Sequence, residues 1–146
     1  MKKYKYNFQI NTDGGSRGNP GPAALGVIIK GEGIQKEYGE YIGEGTNNEA
    51  EYGAVIFALK KLRQLVGKNK AKESHVDFFV DSEFLVEQMN GNYKIKESTI
   101  QHLFLKVWND KIDFGEVVFT HIPREKNKEA DKIVNAVLDR EANKLL

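Results

Sequence analysis

Only three residues, Gly31-Glu32-Gly33, separate the apolar run Ala23 to Lys30 from a second strand-like segment, Ile34 to Ile42. A link this short cannot return the chain to start a parallel strand, so the two segments must pair antiparallel. Upstream, Tyr4, Tyr6, Phe8 and Ile10 alternate with polar residues up to Asp13, the pattern of a half-buried strand. Three antiparallel strands in a row is the resulting expectation. From Thr46 the period changes. Val55, Ala58, Leu59, Leu62 and Leu65 recur at helical spacing over roughly five turns. Next come a lysine-rich connector, "GKNKAKESH", and a short apolar strand, "VDFFVDS". Two helices follow, Glu83 to Met89 and Ser98 to Lys111, with a Gly/Asn turn between them and Trp108 expected in the core. A strand in "GEVVFTHIP" stops at Pro123, and the last helix begins near Asn127 with Ile133, Val134, Val137 and Leu138 on one face. The later strands are separated by helices, which makes their connections crossovers. The order therefore predicts an α/β fold: a five-stranded mixed sheet, three antiparallel strands then two parallel ones, with helices on both faces.

Composition narrows the class. A chain of 146 residues with 40% hydrophobic and 29% charged residues is expected to form a single globular domain spanning 1–146. No run of about 18 apolar residues occurs, so no membrane association is expected. The start, MKKYKYNF, has no apolar stretch behind its lysines, unlike a secretory signal. Cysteine is absent, which excludes disulfides and thiolate metal sites and fits a reducing, cytoplasmic location. The net charge of +1 does not advertise nucleic acid, but it leaves room for an acidic site set among basic surfaces.

Four carboxylates fall in unusual places. Asp13 ends the first strand, Asp81 ends the fourth in "FFVDSE", Glu51 lies in line with the apolar stripe of the long helix, and Asp131 sits in the first turn of the last helix. Each has a plain structural use as well. Asp13 before two glycines can open a turn, Asp81 can cap the helix that follows, and Asp131 suits a helix N-terminus. Glu51 competes with Glu49, which completes the S/T-x-x-E capping box of Thr46-Asn47-Asn48-Glu49. Phase separates the two: Glu49 points about 200° around the helix from Glu51, away from the apolar stripe. If strands one and four are adjacent and parallel, Asp13 and Asp81 emerge together at their carboxyl ends, where open α/β sheets place ligands. Such a cluster would repel itself without a bound cation. Its all-oxygen donors favour Mg²⁺ or Mn²⁺ over zinc. Two such ions are the usual apparatus for displacement at phosphorus.

Four stretches, "TDGGSRGNPGPAALGVII", "TNNEAEYGAVIFAL", "VDSEFLVEQMNG" and "HIPREKNKEADKIVNAV", together resemble the type 1 ribonuclease H family and cover nearly the whole chain in the family's order. The variant is similar to the archaeal and bacterial branch that includes reverse-transcriptase-like ribonuclease H domains. The resemblance implies endonucleolytic hydrolysis of the RNA strand of RNA–DNA hybrids with two Mg²⁺ ions, leaving 5′-phosphate and 3′-hydroxyl ends. It implies that Asp13, Glu51, Asp81 and Asp131 are the metal-binding carboxylates. It places Asn47 and Asn48 against the hybrid, and it puts Gly14, Gly15, Ser16 and Glu51 where ribose 2′-hydroxyls are sensed.

Two departures from the family pattern stand out. Many bacterial members carry a histidine in a flexible loop before the last carboxylate. Here His121 reads as a strand end, and Arg124 is the better auxiliary residue, acting through charge because arginine cannot serve as a base near neutral pH. Neither the basic, tryptophan-containing protrusion nor an N-terminal hybrid-binding domain is expected, so substrate grip is expected to come from elsewhere. Arg17, beside Asp13, is the first candidate, followed by Lys60, Lys61, Lys94, Lys96, Lys126 and Lys128. Double-stranded RNA is a second candidate substrate, and no obligatory protein partner is evident. The alternative function is a non-catalytic nucleic-acid-binding or protein-interaction module on the same fold. Nucleases of the same superfamily and metal phosphatases are weaker rivals, because the "TNNEAEY" and "REKNKEAD" stretches point to ribonuclease H.

Overall fold

The computed structural model describes residues 3–144. The strands are β1 (Tyr6–Ser16), β2 (Gly21–Gly31), β3 (Ile34–Gly45), β4 (Ser74–Val80) and β5 (Glu116–His121). The helices are α1 (Asn47–Val66), α2 (Lys68–Lys72), α3 (Glu83–Met89), α4 (Ser98–Lys111) and α5 (Lys128–Lys144), with a 3₁₀ turn at Arg124–Lys126. One sheet of order β3-β2-β1-β4-β5 holds all five strands. β1, β2 and β3 pair antiparallel, while β4 runs parallel to both β1 and β5. This is the expected mixed sheet.

The β2–β3 link is a two-residue loop, with Glu32 at φ 50° and Gly33 at φ 79°. Left-handed conformation at both loop positions matches the twist of the flanking strands. β2 is buried without interruption from Ala23 to Ile29, as a strand covered on both faces must be. Leu25, Val27 and Ile29 join Phe8, Ile10 and the buried side of α1 in the main core. Ala24 packs instead with Val134, Val137 and Leu138 of α5. Successive residues of a strand point to opposite faces, so α1 and α5 sandwich the sheet. α4 lies outside α1 and packs on it.

Several boundaries differ from expectation. β1 continues past Asp13 to Ser16, because Gly14, Gly15 and Ser16 stay in register with Leu25, Ala24 and Ala23. The Gly/Pro stretch is thereby reduced to a tight hairpin end, Arg17 to Pro20, closed by Arg17 N–H donating to the Pro22 carbonyl at 2.9 Å. The lysine-rich connector contains the short helix α2, anchored by the buried Ala71. Leu65 is 38% exposed, since the buried side of α1 ends at Leu62. Trp108 is not in the core but 44% exposed. The inward positions of α4 are Ile100 and Val107. Trp108, one step further round, stacks on Phe104 at 5.9 Å with the Lys111 ammonium 4.1 Å above its ring.

Candidate active site

The last rung of the parallel β1–β4 ladder is Thr12 opposite Val80. Asp13, still paired with β2, and Asp81, the first residue past β4, therefore stand side by side at the same level. Glu51 arrives from α1, whose start is fixed by the Thr46–Glu49 capping box: Glu49 N–H donates to Thr46 Oγ1 at 3.1 Å and Thr46 N–H donates to Glu49 Oε1 at 2.9 Å. With Glu49 occupied there, Glu51 is the acid turned to the sheet. Gly14 N–H donates to its Oε1 at 2.8 Å. Gly14 is what allows the approach, because a Cβ there would lie 2.2 Å from the Ala50 carbonyl carbon and 2.4 Å from Glu51 N.

One carboxylate oxygen from each of Asp13, Glu51 and Asp81 falls within 4.8 Å of the others. Asp131, in the first turn of α5, lies outside that tight trio but near enough for its charge to raise the Asp13 carboxyl. Asn135, one helical turn on, donates to Asp131 Oδ2 at 3.4 Å.

Asp13 and Glu51 are only 7% and 8% exposed, and electrostatics follow from that. Burial first, then the charges of Asp81 and Asp131, push Asp13 from an ordinary 3.8 up to about 8, against the pull of the Gly14 N–H. Burial and the charges of Asp13 and Asp81 likewise raise Glu51 well above the carboxylate range, with Gly14 N–H and the Arg124 charge acting in the opposite direction. A cluster of this kind keeps protons unless a cation takes their place. The donors are all carboxylate oxygens, with no thiolate or imidazole among the trio, which suits a hard divalent ion.

The remaining sequence candidates spread around this centre. Ser16 N–H donates to Asn47 Oδ1 at 2.9 Å, and Asn47 N–H donates to Asn19 Oδ1 at 2.9 Å, tying the β1–β2 hairpin to the start of α1. Ser16 Oγ donates to the Gly18 carbonyl, and Gly15 faces Val134. Arg17 is drawn toward α5, its guanidinium 2.6 Å from Asp139 Oδ1. Asn48 stands on the rim of a cavity of ≈ 450 Å³ lined also by Phe84, Gln88, Tyr93, Lys94 and Lys96. The Phe84 and Tyr93 rings meet edge-on at 5.7 Å. Lys126 and Lys128 border a separate cavity of ≈ 300 Å³ at the start of α5. Lys60 is an exposed residue of α1, and Lys61 lies over the Tyr38 ring at 5.3 Å. His121 is an exposed strand end opposite Val80, whereas Arg124 opens the 3₁₀ turn.

One residue was not singled out from the sequence. Asn127 is 2% exposed and joined to both central strands, through Asn11, the Thr12 carbonyl and Asp81. Its only sequence signal is its place within "REKNKEAD", where an asparagine reads as an ordinary helix cap.

A family model described as "Reverse transcriptase-like" matches residues 11–137. LC11-RNase H1, solved in complex with an RNA/DNA hybrid, is 46% identical and superposes with a TM-score of 0.86, covering 92% of this chain and 99% of that one. The chain belongs to the type 1 ribonuclease H family. A family member named ribonuclease HI, from Halobacterium salinarum, is 35% identical over 129 residues, which are 87% of this chain and 62% of that protein. A bifunctional protein of Mycobacterium tuberculosis is 35% identical over 136 residues, 91% of this chain but 36% of that protein. This chain thus spans between about a third and two thirds of the length of these two ribonuclease H relatives.

Proposed function

We propose that the protein is an endoribonuclease that hydrolyses the RNA strand of RNA–DNA hybrids, acting as a single domain over 1–146. Asp13, Glu51, Asp81 and Asp131 would hold two divalent ions, Mg²⁺ or Mn²⁺. The observation that carries this reading is the Asp13–Glu51–Asp81 cluster, its first two members buried, where β1 passes the end of β4, in a chain of the ribonuclease H family. When bound, divalent ions supply positive charge that polarises a phosphoryl oxygen and neutralises charge developing in the displacement. Water attacks phosphorus, the bond from phosphorus to the 3′-oxygen breaks, and the products end in 5′-phosphate and 3′-hydroxyl.

The chain's own groups divide the remaining work. Gly14 N–H fixes one Glu51 oxygen, and the Arg124 charge favours the ionised form of that carboxylate. Gly14 and Ser16 N–H are engaged by Glu51 and Asn47, so sensing of a ribose 2′-hydroxyl falls to those two side chains rather than to free amides. The cavity beside Asn48, with Phe84, Tyr93, Lys94 and Lys96, offers stacking surface and positive charge for a nucleic-acid strand. Double-stranded RNA is the second substrate to examine. A reducing cytoplasm suits a chain without cysteine, and among the described residues no helix is long and apolar enough to cross a membrane.

A non-catalytic binding module on the same fold fits less well. Buried, mutually repelling carboxyls are unfavourable for a simple binding surface, and neutral side chains would serve it better. The test is strand-resolved cleavage of a hybrid labelled on either strand, with DNA duplex and double-stranded RNA beside it. The expected result is RNA fragments carrying 5′-phosphates from the hybrid. Binding of the hybrid without cleavage in any divalent ion would favour the module.

A further inference from the structure

The start of α5 carries Asp131, so something must hold that helix end at a set distance from Asp13 on β1 and Asp81 just past β4. Asn127 is placed to do so. Its carbonyl accepts the Asp131 N–H at 3.1 Å, which fixes the helical backbone between the two residues. Its side-chain amide does not act as a plain cap. Nδ2 donates to the Thr12 carbonyl at 2.8 Å and to Asp81 Oδ2 at 3.3 Å, while Oδ1 accepts from Asn11 Nδ2 at 3.0 Å. The partners fix the orientation of the amide, because the Thr12 carbonyl and the Asp81 carboxylate are acceptors and demand its NH₂ group. A buried amide with every bond directed to particular partners is costly to misplace.

We propose that Asn127 is a positioning residue of the divalent-ion site. It orients Asp81 directly, and it sets the span between Asp131 and the Asp13–Asp81 pair by binding the carbonyl that precedes Asp13. The inference rests on the proposed ribonuclease reading in taking the carboxylate cluster as an ion site. Groups that orient metal ligands change metal affinity or activity by about 10- to 100-fold when removed. Asn127→Ala deletes all three side-chain bonds. Asn127→Asp keeps the shape but sets a carboxylate against Asp81 and the Thr12 carbonyl. Asn11→Ala is the control: it removes the support of Asn127 Oδ1 and leaves both bonds to the site side in place.

The experiment is calorimetric titration of Mn²⁺ without substrate into wild type and these variants, with melting in EDTA and hybrid kcat and KM measured alongside. Asn127→Ala and Asn127→Asp should raise the Mn²⁺ Kd about 10- to 100-fold and lower kcat while KM for hybrid stays within about twofold. Asn11→Ala should lose stability yet bind Mn²⁺ within about twofold of wild type. Unchanged Mn²⁺ affinity in the Asn127 variants would overturn the inference. So would an equal loss in Asn11→Ala, which would mark the effect as general loosening. Should the Asn127 variants fail to fold, the side-chain amide of Asn127 in ¹⁵N-asparagine-labelled wild type is followed during Mg²⁺ addition. Its resonance should move with the midpoint of ion binding, and a resonance that stays put would overturn the inference. Wild type that binds no divalent ion would instead sink the ribonuclease reading itself.

Discussion

Asp13 is a weak acid in the metal-free protein because it is buried among other carboxyls, and this has a measurable sign. Its folded value of about 8 stands above the ordinary 3.8, so the folded chain retains a proton that the unfolded chain has lost between those limits. Stability from this group is therefore present at low pH and lost as pH rises toward 8. In EDTA, the melting temperature should fall between pH 5 and pH 8, and Asp13→Asn should flatten that fall. Added Mg²⁺ or Mn²⁺ should restore the wild-type melting temperature at pH 8, since ligands that bind only the folded state stabilise it. The meeting of Asp13, Glu51 and Asp81 was legible in the sequence because the strand and helix periodicities fixed the direction of each. Asn127 was not, because its partner Thr12 is 115 residues away and nothing local marks the contact. The pairing of Arg17 with Asp139 was hidden for the same reason.

At the level of elements, the site depends on how closely the first turn of α1 can approach β1. Gly14→Ala places a methyl group 2.2 Å from the Ala50 carbonyl carbon, and backbone on both sides leaves little room to yield. Overpacking of this kind costs about 1–3 kcal/mol, and moving Glu51 by about an ångström can lower kcat about 100-fold. Urea melts and steady-state kinetics would read both effects. Thr46→Ala, which opens the capping box without touching the cluster, should cost about 1 kcal/mol and leave kcat within a few-fold of wild type. Element order was readable because short turns force antiparallel pairing and helices between strands force crossovers. Element ends were less so. Gly14 and Gly15 look like strand breakers, but they continue the β1–β2 ladder, and the missing side chain at Gly14 lets α1 approach the backbone there. Trp108 was misplaced because the inward stripe of α4 is set by its packing on α1, and a single large apolar residue does not reveal helix phase.

On the scale of the whole molecule, and on the proposed reading, a net charge of +1 would leave hybrid binding to local patches. Each phosphate contact contributes about 0.9 to the slope of log affinity against log salt. The double variant Lys94→Ala/Lys96→Ala should therefore reduce that slope by about 1.8, with kcat at saturating hybrid largely preserved. On the proposed reading the whole sheet serves to bring Asp13 and Asp81 to one level beside Glu51.

The most direct test of that account is cleavage of a labelled RNA–DNA hybrid by wild type and Asp81→Asn, each with Mg²⁺, Mn²⁺ or EDTA. Wild type should cut only the RNA strand and only with a divalent ion, and Asp81→Asn should lose more than about 100-fold, beyond the cost of removing a supporting group. Cleavage that persists in EDTA, or that survives Asp81→Asn, would contradict the account.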